Sequence, residues 1–76
     1  MTKAQAKQTI KDFLTKYRGK SVLFNTLNDT EKQAYILTNS FNYFNDFLST
    51  NEAIIRAIEN TEAHAKNNFE VFKRIC

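Results

Sequence analysis

Few side chains in this sequence are suited to catalysis or to metal binding. The 76 residues include one histidine, His64, and one cysteine, Cys76, whereas a zinc site needs several such ligands. The three serines stand outside any nucleophile-elbow sequence, and no glycine-rich phosphate loop occurs. His64 falls on the polar side of its predicted helix, where an exposed histidine is the ordinary outcome. We therefore expect a protein that is not an enzyme and that holds no metal or cofactor.

Positive charge is concentrated in the first twenty residues. Residues 1–20 carry six basic groups and one acidic group, whereas residues 21–76 carry five basic and seven acidic groups, so the net charge is +3. Three of the cations lie within about 40° of one another on a helical wheel, and a fourth follows in the next loop. We call these four residues the basic ridge: Lys7, Lys11, Arg18 and Lys20. The ridge can neutralise phosphates in a salt-sensitive way, it can attract an acidic protein face, or it can be a solvated face.

The predicted second helix has an unusual aromatic load, with Phe41, Tyr43, Phe44 and Phe47. Its apolar residues cover an arc of about 180°, which is wider than one packing face requires. Either all four rings belong to the core, or one edge of the arc is left for a partner. Phe41 and Phe44 lie near the middle of the arc, so we expect both in the core. Tyr43 and Phe47 lie at the edge, where aromatic side chains can anchor an interface.

A second candidate patch lies on the polar face of the same predicted helix, where Tyr35 stands among Asn39 and Asn42. These side chains can donate and accept hydrogen bonds with a partner, or they can form ordinary solvated surface. Together with the edge of the aromatic arc, they complete the predicted partner-binding residues, which are Tyr35, Asn39, Asn42, Tyr43 and Phe47.

Helix signals run along the whole chain, which has one glycine and no proline. The first helix is predicted from Thr2 to about Arg18, because Thr2 and Gln5 have capping-box spacing and Gly19 suits a C-cap. The second begins near Asn28 and runs to about Leu48. The third begins at about Thr50, behind the capping residue Ser49. Apolar residues on the first helix form one stripe: Ala6, Ile10, Phe13, Leu14 and Tyr17.

The third predicted helix carries a stripe that steps by three and four residues from Ile55 to Cys76. Glu62 is its one charged member. Its carboxylate lies either at the edge of the stripe in water or in a self-association interface, where one polar group can fix the pairing. Because a chain this short can cover only a limited apolar area, the surplus predicts a homodimer through part of the apolar surface of helix 2 or helix 3. The members of the stripe are Ile55, Ile58, Glu62, Ala65, Phe69, Phe72 and Cys76.

Residues 20–28 are ambiguous. Val22 and Phe24 alternate with Leu23 and Asn25, which allows a short extended segment, but such a strand has no partner elsewhere in the chain. We favour a short helix carrying Val22, Leu23 and Leu27, or an ordered loop that plugs the core. The predicted fold is therefore an all-α single domain over residues 1–76. It is a small three-helix bundle, and the sequence also allows a short extra helix between helices 1 and 2.

These features predict a small binding or regulatory protein of the inhibitor or adaptor type. It docks on a larger protein partner through the aromatic helix face. The alternative is a nucleic-acid-associated accessory protein that uses the basic ridge. No apolar run exceeds four residues, so we expect no membrane partner. A single cysteine fits a reducing compartment, which favours the cytoplasm.

Overall fold

A computed structural model describes residues 1–70 and confirms the predicted three-helix bundle. The elements are α1 (Lys3–Tyr17), a 3-10 helix (Phe24–Thr26), α2 (Asp29–Asn45) and α3 (Thr50–Lys66). No strand occurs within this part of the chain. The short extra helix between α1 and α2 is therefore also present, as a single 3-10 turn.

Each α-helix begins at a side-chain cap that the sequence predicts. The Thr2 hydroxyl accepts a hydrogen bond from the Gln5 backbone N–H at 3.1 Å, and the Gln5 side chain accepts one from the Thr2 N–H at 2.9 Å. The Asn28 side chain accepts from the Glu31 N–H at 2.8 Å, and Ser49 caps α3 in the same way. Such a cap stabilises a helix by about 1 kcal/mol, because the first N–H groups have no intrahelical acceptor.

Left-handed residues end α1 and α3. Gly19 has a φ of 70° directly after α1, a conformation that glycine adopts without a steric penalty. After α3, Asn68 has a φ of 54°, and the N–H groups of Asn68 and Phe69 donate to the carbonyls of Ala65 at 3.1 Å and His64 at 2.8 Å. This is the Schellman pattern. The predicted continuous helix is therefore interrupted at residues 67–69, although Phe69 of the predicted stripe is buried. Phe72 and Cys76 lie outside the described residues.

The main core lies where α1 crosses the hairpin of α2 and α3. The largest packing interface is the one between α2 and α3, which a four-residue connection joins. Alanines at the centre of the contact, such as Ala53 and Ala57, are fully buried and allow the two backbones to approach closely. Phe41 and Ile58 pack against the main core from its edge. Its buried members are Ala6, Ile10, Leu37, Ile54 and Ala57.

A second cluster closes the end of the bundle where α2 begins and α3 ends. It contains Phe24, Ile36 and Phe69, and the rings of Phe24 and Phe69 meet edge to face with centroids 6.0 Å apart. The ammonium of Lys32 lies 5.6 Å and 5.9 Å from the two ring centroids, which is within cation–π range. Residues 20–28 therefore plug the core as predicted, but Phe24 is the plug, and Leu23 is 71% exposed.

The buried face of α3 differs from the predicted stripe. Ile54 is 1% exposed, whereas Ile55 is 41% exposed, and Glu62 lies at the surface. The buried residues of α3 are Ala53, Ile54, Ala57 and Thr61. Three described members of the predicted stripe still contact the buried clusters: Ile58 packs against the main core, Phe69 belongs to the second cluster, and Ala65 packs against it. The predicted stripe is therefore wrong at Ile55, whose neighbour Ile54 takes the buried position.

Two further residues contradict the predicted faces. Leu14 belongs to the predicted stripe of α1 but is 49% exposed, because the contact of α1 with the hairpin is centred on Ala6 and Ile10. Thr38 lies between Tyr35 and Asn39 of the predicted polar face of α2, but it is only 3% exposed. Its hydroxyl donates to the Ala34 carbonyl at 2.8 Å, which satisfies the polar group inside the core.

The corrected face of α3 predicts opposite outcomes for two adjacent isoleucines. Ile54→Ala is expected to lower the free energy of unfolding by about 2–5 kcal/mol, because it leaves a cavity in the main core. Ile55→Ala is the matched control and should cost less than about 1 kcal/mol, because its side chain is largely exposed. Urea unfolding followed by circular dichroism measures both values. Equal losses, or a greater loss for Ile55→Ala, would show that the buried face is misassigned.

Candidate protein-binding surfaces

Three aromatic rings form a contiguous exposed patch at the end of α2. Tyr43 is 65% exposed and Phe47 is 61% exposed, and Phe44 is partly buried. The Tyr43 ring lies 5.3 Å from Phe44 and 5.4 Å from Phe47, and the last two are 6.0 Å apart, all measured between centroids. Each pair meets edge to face, the arrangement that aromatic quadrupoles favour. We call Tyr43, Phe44 and Phe47 the aromatic patch.

The helix end determines where these rings lie. α2 ends at Asn45, and the N–H groups of Phe47 and Leu48 then donate to the Phe44 carbonyl at 3.2 Å and 2.9 Å. This tight turn brings the Phe47 ring back beside Tyr43. Neither buried cluster of the described chain includes a residue of the patch. The rings of Tyr43 and Phe47 therefore remain accessible.

The predicted division of the aromatic arc agrees with the structure at three of four rings. Tyr43 and Phe47, predicted at the edge, are exposed, and Phe41, predicted in the core, packs against the main core. Phe44 was also predicted in the core, but it is only partly buried and belongs to the aromatic patch. The reason is that α1 does not extend over the last turn of α2.

The polar residues predicted beside the patch divide into two environments. Asn39 and Asn42 are exposed, and Asn39 follows the same helix face one turn before Tyr43. Tyr35 is partly buried, with its ring 5.8 Å from Phe13 and 5.5 Å from Phe24 between centroids. It therefore packs with the second cluster, about 12 Å along the helix from Tyr43. Its position is that of a structural residue, whereas the two asparagines lie at the rim of the patch.

The four cations of the basic ridge are all exposed. Within residues 1–70, none of them forms an ion pair with a carboxylate. The exposed side chain of Leu14 lies in the same row of α1, three residues after Lys11 and four before Arg18. The ridge is thus interrupted by an apolar group.

One polar contact between helices lies beside the ridge. Glu31, in the first turn of α2, accepts hydrogen bonds from the Lys16 ammonium at 2.8 Å and from the Tyr17 hydroxyl. The bond from Lys16, followed by that from Tyr17, lowers the pKa of Glu31, and the same contact raises the pKa of Lys16 and of Tyr17. Sequence reasoning missed this contact, because its members lie 14 and 15 residues apart.

Metal-ligating side chains do not cluster in the described part of the chain. Within residues 1–70, no three His, Cys, Asp or Glu side chains lie close enough to hold a metal ion. His64 is partly buried at the end of α3. None of the described helices is both long enough and apolar enough to cross a membrane.

Comparison with known proteins identifies no relative of this chain. No family model matches the sequence, and neither the curated proteins nor the solved structures gave a significant match. The functional argument therefore depends on the chemistry of the aromatic patch and of the basic ridge.

The contact of Glu31 with Lys16 and Tyr17 predicts a pH-dependent contribution to stability. Because the pKa of Glu31 is lowered on folding, the contribution is present above the unfolded pKa of about 4.3 and is lost as the pH falls through the folded pKa. Glu31→Gln should therefore be less stable than the wild type at pH 7, and the difference should vanish near pH 3. Urea unfolding at both pH values measures it.

Glu59→Gln is the matched control for this prediction, because Glu59 is an exposed carboxylate of α3 without an ion pair among the described residues. Its stability relative to the wild type should change little between pH 7 and pH 3. A Glu31→Gln deficit that persists unchanged at pH 3 would assign the effect to something other than the charged carboxylate.

Proposed function

We propose that this chain is a small non-enzymatic binding protein of the inhibitor or adaptor type, which docks on a larger protein partner. The observation that carries the proposal is the aromatic patch, in which two rings are more than 60% exposed. Exposed aromatic clusters of this kind are typical of interaction sites, because the rings lose little entropy when they are buried. The single cysteine supports a cytoplasmic setting for this role.

The size of the patch is sufficient for an interface hot spot. Complete burial of the exposed parts of Tyr43 and Phe47 removes on the order of 250 Å² from water, which corresponds to about 6 kcal/mol before the costs of association. The edge-to-face contacts already hold the rings in one arrangement, so a partner has fewer side-chain rotamers to order. The patch can therefore supply the central anchor of an interface.

The surroundings of the patch indicate the character of the partner. Asn39 and Asn42 place amide groups at its rim, where they can hydrogen-bond to a partner. No Lys or Arg occurs between residues 33 and 55, and Asp46 and Glu52 are the only charged residues there. We infer that the partner surface has an apolar depression surrounded by hydrogen-bonding groups. It lacks a cluster of acidic residues, because such a cluster would repel Asp46 and Glu52.

Nucleic-acid binding through the basic ridge is the second candidate function. The exposure of Lys7, Lys11, Arg18 and Lys20, without ion pairs in the described chain, supports it. Such binding would weaken steeply as salt increases, whereas binding through the aromatic patch would depend on salt much less. The ridge is a single row of cations, and the exposed Leu14 interrupts it, so we rank this function below protein binding.

The proposal predicts that Tyr43→Ala weakens partner binding without unfolding the chain. The affinity should fall by about 2 kcal/mol or more, which is about 30-fold, because a central aromatic anchor is lost. The partner is first isolated by affinity capture from nuclease-treated extract of the source cell and identified by mass spectrometry. Calorimetric titration then compares the purified partner with each variant.

Leu23→Ala is the matched control, because Leu23 is a large apolar residue that is 71% exposed but lies far from the patch in sequence and structure. It should leave the affinity unchanged, and both variants should retain the helicity and Tm of the wild type. An equal loss of affinity for both variants would contradict an anchor at Tyr43. Unfolding of Tyr43→Ala would place its ring in the core.

The predicted homodimer has its own test, because a second copy is another occupant of the same patch. If two copies pair there, light scattering at high micromolar concentration should give twice the mass of the chain. Phe47→Asp should then give a single-chain mass, because it places a charge in the interface. A single-chain mass for the wild type would contradict self-association.

A further inference from the structure

An open groove lies where α1 ends and the chain turns at Gly19. Its volume is about 500 Å³, within the range of ligand-binding clefts. Phe13, Tyr17 and Val22 line it and are partly buried, whereas Leu14 beside them is exposed. The groove therefore offers an apolar floor that a side chain from another molecule could cover.

Two cations of the basic ridge, Arg18 and Lys20, also line this groove. Of the three carboxylates closest in sequence, Glu31 accepts from Lys16 and Tyr17, Asp12 accepts from the Gln8 amide at 2.8 Å, and Asp29 lies in the first turn of α2. Neither cation forms an ion pair within residues 1–70. The apolar floor consequently lies beside two cations that no carboxylate of the described chain pairs with.

This combination discriminates between classes of anionic partner. A nucleic acid can pair its phosphates with Arg18 and Lys20, but it covers Val22 and Leu14 only if a base leaves its stack to enter the groove. An acidic peptide with one large apolar residue satisfies both features, because its carboxylates meet the cations while its apolar side chain enters the groove. We propose that this groove binds an acidic peptide segment of a partner protein, anchored by an apolar residue between Asp or Glu residues.

The groove is a separate surface from the aromatic patch. Tyr17, which lines the groove, bonds to Glu31, and Tyr43 lies twelve residues farther along α2, which is about 18 Å. The two surfaces also differ in chemistry, since one is basic and the other has no cation near it in sequence. A chain with both surfaces can hold two segments at once, which is the behaviour of an adaptor.

Selection from a displayed library of random 12-residue peptides, with the full chain immobilised, tests this proposal. The enriched peptides should carry several Asp or Glu residues around one large apolar residue. Two of them are then synthesised with a fluorescent label and titrated by anisotropy. Arg18→Glu combined with Lys20→Glu should weaken binding at least tenfold, and so should Val22→Ser, because each removes one of the two recognition features.

Matched controls separate the groove from general charge effects. Lys3→Glu combined with Lys66→Glu changes the net charge equally but lies outside the groove, so it should weaken binding less than threefold. Tyr43→Ala should leave peptide binding unchanged, so the proposal for the groove is tested independently of the proposal for the aromatic patch. Replacing the apolar anchor of the peptide by Ser should weaken binding to the wild-type chain at least tenfold, a test that needs no variant of the protein.

Three results would overturn the proposal. The first is enrichment of peptides without acidic residues, or of peptides whose binding is lost in Tyr43→Ala. The second is equal binding by the peptide with Ser in place of its anchor, because the apolar floor would then have no role. The third is a selection that enriches no peptide while a labelled 12-nucleotide oligothymidylate binds to the chain. Its binding would have to weaken with salt and be abolished by Arg18→Glu combined with Lys20→Glu.

Discussion

Close packing of α2 against α3 is the contact on which the rest of the molecule depends. Fully buried alanines allow the two helices to approach closely, and the Asn60 amide donates to the Ser40 hydroxyl across the interface at 2.6 Å. The hairpin presents one apolar surface, which α1 covers only in part. Within residues 1–70, Tyr43 and Phe47 of this hairpin remain 65% and 61% exposed, so the hairpin that stabilises the fold also presents the aromatic patch.

Local signals predicted the elements of this fold well. Thr2, Asn28 and Ser49 are recognisable caps, because the groups they satisfy lie within one turn of the chain. Gly19 is recognisable because a left-handed residue favours glycine. The face of α3 was mispredicted because the choice between Ile54 and Ile55 depends on the partner helix, which no local pattern describes.

The candidate surfaces were predictable to different degrees. The wheel of α2 was enough to place Tyr43 and Phe47 at an edge, and both are exposed. The partial exposure of Phe44 was missed, because it depends on the length and angle of α1. The groove beside Arg18 was missed for a related reason, since it forms only when the chain folds back after Gly19 and brings Val22 beside Phe13.

The turn that ends α3 depends on packing against Phe24, a residue far away in sequence. Phe69 has a φ of 61°, a conformation that is unfavourable for a bulky side chain by about 1–3 kcal/mol. Its ring is only 5% exposed, packed with Phe24 and Ile36, and this burial offsets the backbone strain. A loosened cluster would remove that compensation and favour right-handed geometry at residues 67–69. The end of α3 is therefore a tertiary property, set by a loop more than forty residues earlier in the chain.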